Sequence, residues 1–204
     1  MTAELSGLSL GAAAGSIPFA WLVHRVVTGR DLRREGSGNP GAANVSRIDG
    51  IAWGATALAL DAGKGAAAVL LAARIVGDAA VVPAALGAVF AHVFTPWLRG
   101  RGGKGVATAA GAFAIVAPAA TVEALVVFAL VVAVTRFVSL ASVLGAAALP
   151  VTISLVGPGG RAALAAFAIG LLIAWRHGGN FARMRAGTEP RLGRRKPGRE
   201  GASP

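Results

Sequence analysis

Long apolar stretches recur along the whole chain and limit its possible folds more than any other feature. A run of about 17 to 25 apolar residues can cross the hydrocarbon core of a bilayer as a helix. Seven candidate segments are present, at 5–27, 51–73, 79–98, 106–117, 121–135, 137–156 and 162–175. The sequence therefore predicts an all-α, polytopic membrane protein with about seven transmembrane helices.

The number of spans depends on how residues 106–135 are divided. As a single helix this run of 30 residues is longer than one crossing needs, and Pro118 offers a break within it. Two helices in this region give seven spans, whereas a bent single span gives six. We favour the division into two helices.

Composition and charge support a membrane class. Apolar residues make up 55% of the chain and charged residues 14%, against about 25% charged in soluble domains. With the N-terminus outside, the cytoplasmic side holds four basic residues in the first connection, three in the second, one in the third and eight in the C-terminal region. This positive-inside bias predicts a cytoplasmic C-terminus. It also accounts for the net charge of +11 without a nucleic-acid partner.

The chain is expected to form a single transmembrane domain over residues 1–192. Residues 193–204 are rich in Arg, Gly and Pro and are predicted to form a basic, disordered cytoplasmic tail. Cysteine is absent, which excludes disulfides, thiolate metal ligands and a cysteine nucleophile. Three histidines and nine acidic residues, scattered along the chain, leave little material for a metal site formed by protein side chains alone, and none is predicted.

Polar residues concentrate in four connections that this topology places on the cytoplasmic side, at 35–47, 92–108, 136–142 and 176–189. Two of these connections combine glycines with a cation: Gly36 and Gly38 precede Arg47, and a Gly-Gly pair precedes Lys104. Glycine allows successive N–H groups to point at an anion, and the cation supplies the counter-charge. The pattern predicts phosphate binding.

Two nucleotide-binding motifs are matched only superficially. Residues 36–41 fit G-x-G-x-x-G, but they lie between two predicted membrane spans and not after a strand. Gly103-Lys104 resembles part of a P-loop, but Gly105 stands where a magnesium-binding Ser or Thr is needed. We interpret neither as a nucleotide site.

Polar residues inside or at the ends of spans are further candidates, because such groups are costly in lipid. Asp61 and Lys64 are three residues apart and share a helix face, where they could lock helices together, border the polar site, or do both. His92 and His177 each end a span beside a glycine–cation connection, which favours a functional role. His24 has no such neighbours and is interpreted as structural.

Five ordered motifs resemble those of the bacterial integral-membrane glycerol-3-phosphate acyltransferases that use acyl phosphate as donor, the PlsY type. The matches are GSGNPGAANVSR at 36–47, the D-x-x-K at 61–64, the segment 92–108, VSLAS at 138–142, and H-x-x-N with G-T-E at 177–189. The chain departs from the family pattern at Ala43, at Thr95-Pro96 and at Gly178-Gly179.

The resemblance implies transfer of a fatty acyl group from acyl phosphate to the sn-1 hydroxyl of glycerol 3-phosphate. The products would be lysophosphatidic acid and phosphate, in the first step of phospholipid synthesis. Glycerol 3-phosphate, fatty acyl phosphate and membrane lipid are the implied partners, and no cofactor is implied. The implied location is the bacterial inner membrane, with the active site facing the cytoplasm.

Roles follow from the resemblance as hypotheses. His92 is the candidate general base on the attacking hydroxyl, although a substrate phosphate could take that proton instead. The expected catalytic residues are His92, Lys104 and Ser37. The expected substrate- and phosphate-binding residues are Gly38, Asn39, Arg47, Gly102, Gly103, Ser142, His177 and Asn180. The expected supporting residues are Asn44, Asp61, Lys64 and Glu189.

Two other functional classes are alternatives to an enzyme: an anion transporter and an inactive scaffold protein. An anion transporter could use the same loops as a gate, but the chain shows neither an internal repeat nor, apart from Asp61 and Lys64, midplane polar groups. An inactive scaffold would be expected to lose Arg47, Lys104 or His177, and all three are present.

Overall fold

Residues 2–193 are described by a computed structural model, and they form ten α-helices joined by short loops and 3-10 turns. Within this range there is no strand, as expected of a chain that must satisfy its backbone hydrogen bonds within each segment in lipid. The predicted tail lies almost entirely outside the described residues. The helices are α1 Ala3–Gly15, α2 Phe19–Thr28, α3 Ala42–Ile48, α4 Ile51–Ile75, α5 Val81–Val93, α6 Val106–Val116, α7 Pro118–Thr135, α8 Val138–Val156, α9 Gly160–Arg176 and α10 Gly178–Arg185.

The predicted all-α, polytopic architecture is confirmed. Among the described residues, five segments are long and apolar enough to cross a membrane: Ala3–Thr28, Ile51–Ile75, Asp78–Leu98, Pro118–Thr135 and Val138–Val156. A sixth is added if α9 and α10, bent by 48°, count as one span. The remaining predicted span is α6, whose 11 residues extend about 16 Å, short of a core about 30 Å thick.

Two prolines divide apolar stretches of the sequence. Pro118 separates α6 from α7, as the preferred reading of residues 106–135 predicts. The stretch 5–27, expected to be continuous, is interrupted before Pro18, because proline cannot donate the next helical hydrogen bond. At this break the carbonyl of Ser16 accepts from Thr95 Oγ1 (2.5 Å), and that of Ile17 accepts from Lys64 Nζ (2.5 Å) and from the N–H of Phe19 (3.1 Å).

Glycines bring α1 against α5 at backbone distance. A Cβ added at Gly7, Gly11 or Gly15 would overlap the carbonyl oxygen of Ala80, Ala84 or Ala88 respectively. Close packing through small residues is the usual way in which helices associate in lipid. This contact fixes α5, and therefore the loop that follows it.

A buried apolar cluster joins α5, α6 and α9 through Val89, Phe113 and Ile173. Large apolar side chains such as Val134 and Leu155 lie on the outside and are mostly exposed, as expected of helices that face lipid. Most buried polar side chains, among them Asn44, His92 and His177, lie at or next to helix ends, whereas Asp61 and Lys64 lie in the middle of α4. The candidate site is built from these residues and the loops beside them.

Candidate active site

The first connection is shaped by the side chain of Asn44, which is fully buried in α3. Its Oδ1 accepts from the N–H of Ser37 (3.0 Å), and its Nδ2 donates to the carbonyl of Glu35 (3.0 Å). Ser37 Oγ in turn accepts from Arg47 Nη2 (3.1 Å). Gly38 has φ +72°, which few other residues tolerate. The loop therefore presents Ser37 and Arg47 as a fixed pair.

The second connection leaves a run of N–H groups without protein acceptors. Gly102 is tied down on both sides, by N–H donation to Val93 (3.0 Å) and by acceptance from Arg176 Nη2 (2.9 Å). The main-chain N–H groups of Gly103, Lys104 and Gly105 have no hydrogen-bond acceptor among residues 2–193. They lead into the first turn of α6, whose N–H groups are also free of helical partners. Such a run is suited to an anion.

Lys104 is connected to the C-terminal segment through Asn180. Lys104 Nζ donates to Asn180 Oδ1, and Asn180 Nδ2 donates to Glu189 Oε1 (2.6 Å). Glu189 also accepts from Ser139 Oγ and Arg183 Nε, both at 2.8 Å. This row of contacts joins the second connection to α8, α10 and the segment after α10, and it fixes both ends of the Asn180 amide.

The charges around Lys104 are mostly positive. Burial lowers the pKa of Lys104 to about 8. Glu189 opposes this shift, whereas three neighbouring cations reinforce it: Arg183, Arg47 and Arg176. The first, second and fourth connections therefore meet at one place with an excess of positive charge, which favours binding of an anion.

Glu189 is the acidic member of this group. Burial raises the pKa of its carboxyl group, but hydrogen bonds from Asn180, Ser139 and Arg183 outweigh burial and bring the pKa below its usual value. Glu189 is therefore ionised at neutral pH. Its contacts are the hydrogen bonds just described, so it serves as an organiser of neighbouring side chains.

A second buried polar group adjoins the glycine-rich loop from the membrane side. Lys64 Nζ lies 2.8 Å from Asp61 Oδ1 and 2.8 Å from His92 Nδ1. The three side chains are between 3% and 7% exposed. Nε2 of His92 faces Gly103, where an added Cβ would overlap it. Asp61 and Lys64 thus connect α4 with α5 and with the break in the first span, and His92 lies between Lys64 and the glycine-rich loop.

Three predicted residues, Ser142, His177 and Asn39, lie outside these hydrogen-bond networks. Ser142 Oγ donates to the Val138 carbonyl of its own helix (2.8 Å), and His177 Nδ1 donates to the Ile173 carbonyl (2.8 Å). Asn39 follows Gly38 in the first connection, where the Gly38 N–H donates to the Glu35 carbonyl (2.9 Å). His177 is nonetheless close enough to Lys104 and Glu189 to be affected by their charges. His24 is buried and hydrogen-bonded to Asp49 (2.7 Å), in keeping with a structural role.

Three residues that hold the site together were not among those predicted from the sequence. Arg176 holds the glycine loop, Ser139 holds Glu189, and Thr95 caps the broken first span. Ser139 lies in the same motif as Ser142, and Arg176 lies next to His177. Their closeness to predicted site residues could have identified both from the sequence. The contact of Thr95 with Ser16 offered none, because it joins residues 79 apart in sequence.

Comparison with known proteins agrees with this geometry. The family described as glycerol-3-phosphate acyltransferase matches residues 7–187. A glycerol-3-phosphate acyltransferase of Myxococcus xanthus is 44% identical over 186 residues, which cover 90% of this chain and 96% of the relative. One of Synechococcus sp. is 42% identical over 189 residues, covering 91% and 94% respectively.

The fold is also found in solved structures. Crystal structures of PlsY, described as an integral membrane glycerol 3-phosphate acyltransferase, match in a glycerol 3-phosphate form and in a lysophosphatidic acid form. Their TM-scores are 0.87 and 0.84, at 32% and 30% sequence identity, and each match covers 94% of this chain and 96% of the other. These values define the class as an integral membrane acyltransferase. The chain belongs to the glycerol-3-phosphate acyltransferase family.

Proposed function

We propose that this chain transfers a fatty acyl group from acyl phosphate to the sn-1 hydroxyl of glycerol 3-phosphate. The products are lysophosphatidic acid and inorganic phosphate, and the reaction opens phospholipid synthesis. The observation that carries the proposal is the run of free N–H groups from Gly103 to Gly105 beside Lys104, at the edge of an apolar helical bundle. A phosphate site next to lipid suits a donor with a phosphate head and an acyl chain.

An acyl phosphate suits this site because it is already activated and its leaving group is a phosphate. The chain has no cysteine, so no thioester can form on a cysteine of the enzyme. Catalysis then depends on positioning and on donors aimed at developing negative charge. Arg47 and Lys104 hold phosphates in this proposal. The other predicted binding residues complete the contacts: Ser37, Gly38, Asn39, Gly102, Gly103, Ser142, His177 and Asn180.

The proposed location is the bacterial inner membrane, with the site on the cytoplasmic side and membrane lipid around the helices. The positive-inside distribution supports this orientation, since the connections rich in Arg and Lys are those that form the site. Both substrates would then enter from the same face, glycerol 3-phosphate from the cytoplasm and acyl phosphate from the inner leaflet.

The test is an assay of purified protein in lipid nanodiscs with palmitoyl phosphate and labelled glycerol 3-phosphate, run in parallel with palmitoyl-CoA. We expect lysophosphatidic acid acylated at the sn-1 position, from acyl phosphate alone. Lys104→Ala should lower the rate at least about 10²-fold, because a charged donor to the phosphate is lost. Arg101→Ala is the matched control: Arg101 is an exposed cation of the same loop, and its variant should stay near wild type.

Equal product from palmitoyl-CoA would overturn the choice of donor, and acylation at the sn-2 position would overturn the choice of hydroxyl. No product from either donor, with a melting transition showing folded protein, would overturn the reaction itself.

A further inference from the structure

Three acceptor atoms surround Lys64 Nζ: the Ile17 carbonyl oxygen and His92 Nδ1 lie at hydrogen-bond geometry, and Asp61 Oδ1 forms an ion pair with it. Lys64 Nζ lies 2.5 Å from the Ile17 carbonyl oxygen, 2.8 Å from Asp61 Oδ1 and 2.8 Å from His92 Nδ1. The Lys64 side chain is 3% exposed, so water does not compete for these donors. An ammonium group has three donors and no lone pair, so each of these contacts must end on an acceptor.

These contacts decide which nitrogen of His92 carries the proton. A neutral imidazole has a hydrogen on one ring nitrogen and a lone pair on the other. When the Lys64 ammonium donates to Nδ1 across this 2.8 Å contact, the hydrogen of the neutral imidazole is on Nε2. Asp61 Oδ1 lies 3.7 Å from Nδ1, too far for a hydrogen bond, and its carboxylate is the counter-charge to Lys64 at 2.8 Å.

Nε2 of His92 faces the glycine loop. A Cβ at Gly103 would overlap this nitrogen, so the loop passes directly over the edge of the ring. The same loop carries the N–H groups of Gly103, Lys104 and Gly105, which find no acceptor within residues 2–193. The Nε2–H group of His92 therefore adds a further donor to that set.

We propose that Lys64 is a positioning residue that holds His92 as an Nε2–H donor, and that His92 stabilises negative charge on the reacting acyl phosphate. The proposal rests on the proposed function and replaces the expectation that His92 is a general base. A base would need its lone pair on Nε2 and its hydrogen on Nδ1. In that state one buried N–H of Lys64 would have no acceptor.

The reaction balances without a protein base. The sn-1 oxygen of glycerol 3-phosphate forms a bond to the acyl carbon, and the electron pair of the carbonyl bond moves onto the carbonyl oxygen. That pair returns as the bond between the acyl carbon and the phosphate oxygen breaks. The hydroxyl proton passes to the departing phosphate, which leaves as hydrogen phosphate. His92 keeps its own proton throughout.

Two amide substitutions separate the roles of His92. The amide nitrogen of glutamine reaches the position of Nε2 and can donate, whereas the amide oxygen of asparagine reaches the position of Nδ1 and can accept from Lys64. Neither amide can act as a base. We expect His92→Gln to stay within about tenfold of the wild-type kcat, and His92→Asn to fall about 10²- to 10³-fold, as His92→Ala does.

Other orders of activity overturn the donor role. If His92→Asn is the more active variant, His92 only accepts from Lys64. If both amide variants are as inactive as His92→Ala, His92 is a base. If both are as active as wild type, the ring is not needed for the reaction.

The tautomer itself can be measured without activity, which keeps the proposal testable if a variant does not fold. The chain has three histidines, so ¹⁵N-histidine labelling gives few signals, and those of His92 are the ones lost in His92→Gln. At neutral pH we expect the proton on Nε2 in the wild type and in Lys64→Arg, with that preference lost in Lys64→Met. A proton on Nδ1 in the wild type would overturn the proposal.

The two proposals fail in distinguishable ways. A wild type that makes no lysophosphatidic acid removes the proposed function, whatever the tautomer. An active wild type with the proton of His92 on Nδ1 removes only this inference.

Discussion

At the scale of single residues, phosphate binding needs Lys104 in its charged form, whereas the surroundings of Lys104 favour the neutral form. Burial lowers the pKa of Lys104 to about 8, and the cations around it act in the same direction. A bound phosphate has the opposite effect, because its negative charge stabilises the ammonium form of Lys104 and raises the pKa again. The charge of the empty site therefore changes within the working range of pH.

This gives a pH-dependence with a defined sign. Lys104 is protonated below pH 8 and binds phosphate, and above pH 8 it loses its proton in the empty site. We expect kcat/KM for glycerol 3-phosphate to fall by about tenfold per pH unit on the alkaline side, while kcat holds to higher pH. Lys104→Arg should flatten the fall in kcat/KM, since arginine stays charged. An unchanged alkaline limb in Lys104→Arg would assign that limb to another group.

At the scale of helices, the α1–α5 contact is sensitive to a single methyl group. Gly11 lies so close to α5 that a Cβ there would overlap the Ala84 carbonyl oxygen. Displacing α1 would also disturb the Ser16 and Ile17 carbonyls, which receive Thr95 and Lys64. Packing at the first span is therefore coupled to the polar group beneath the glycine loop.

We expect Gly11→Ala to destabilise the protein by about 1–3 kcal/mol, the usual cost of inserting a methyl group into a tightly packed interface. Gly63→Ala is the matched control, since Gly63 lies on the exposed side of α4 with nothing within 4 Å of an added Cβ. It should be neutral or slightly stabilising, because alanine favours a helix. The measurement is thermal unfolding in one detergent. Equal melting temperatures for the two variants would contradict the close packing.

At the scale of the whole molecule, the basic residues are distributed unevenly between the two ends of the helices. The connections at 35–47, 92–108, 136–142 and 176–189 contain eight of the 20 basic residues, whereas the opposite end has Arg74 near the close of α4 and Arg161 at the start of α9. The proposed orientation therefore puts the loop at 99–105 inside the cell and the turn at 77–80 outside.

Because the chain has no cysteine, single-cysteine variants report this orientation directly. Asp78→Cys and Arg101→Cys place a thiol at exposed positions in opposite connections. With a membrane-impermeant maleimide on intact spheroplasts, we expect labelling of Asp78→Cys and labelling of Arg101→Cys only after permeabilisation. The reverse pattern would invert the topology and place the site outside the cytoplasm.

Much of the fold and the outline of the site could be predicted from the sequence. The apolar segments, the division at Pro118 and the glycine face of α1 follow from local patterns of hydropathy and residue size. The break before Pro18 and the short length of α6 do not follow from hydropathy. A helix that packs against several neighbours can be interrupted, or can be shorter than the bilayer core, because the neighbouring helices supply the missing contacts.

By itself, the sequence determined which residue types could bind phosphate and in which connections they lie, since glycine and cation patterns are local. Only the tertiary structure decided their partners. Side-chain hydrogen bonds join Lys104 to Asn180, Ser139 to Glu189 and Lys64 to His92. The members of these pairs are 76, 50 and 28 residues apart in the sequence. Buried polar groups need specific partners because water is excluded, and which partners are within reach depends on how the helices pack.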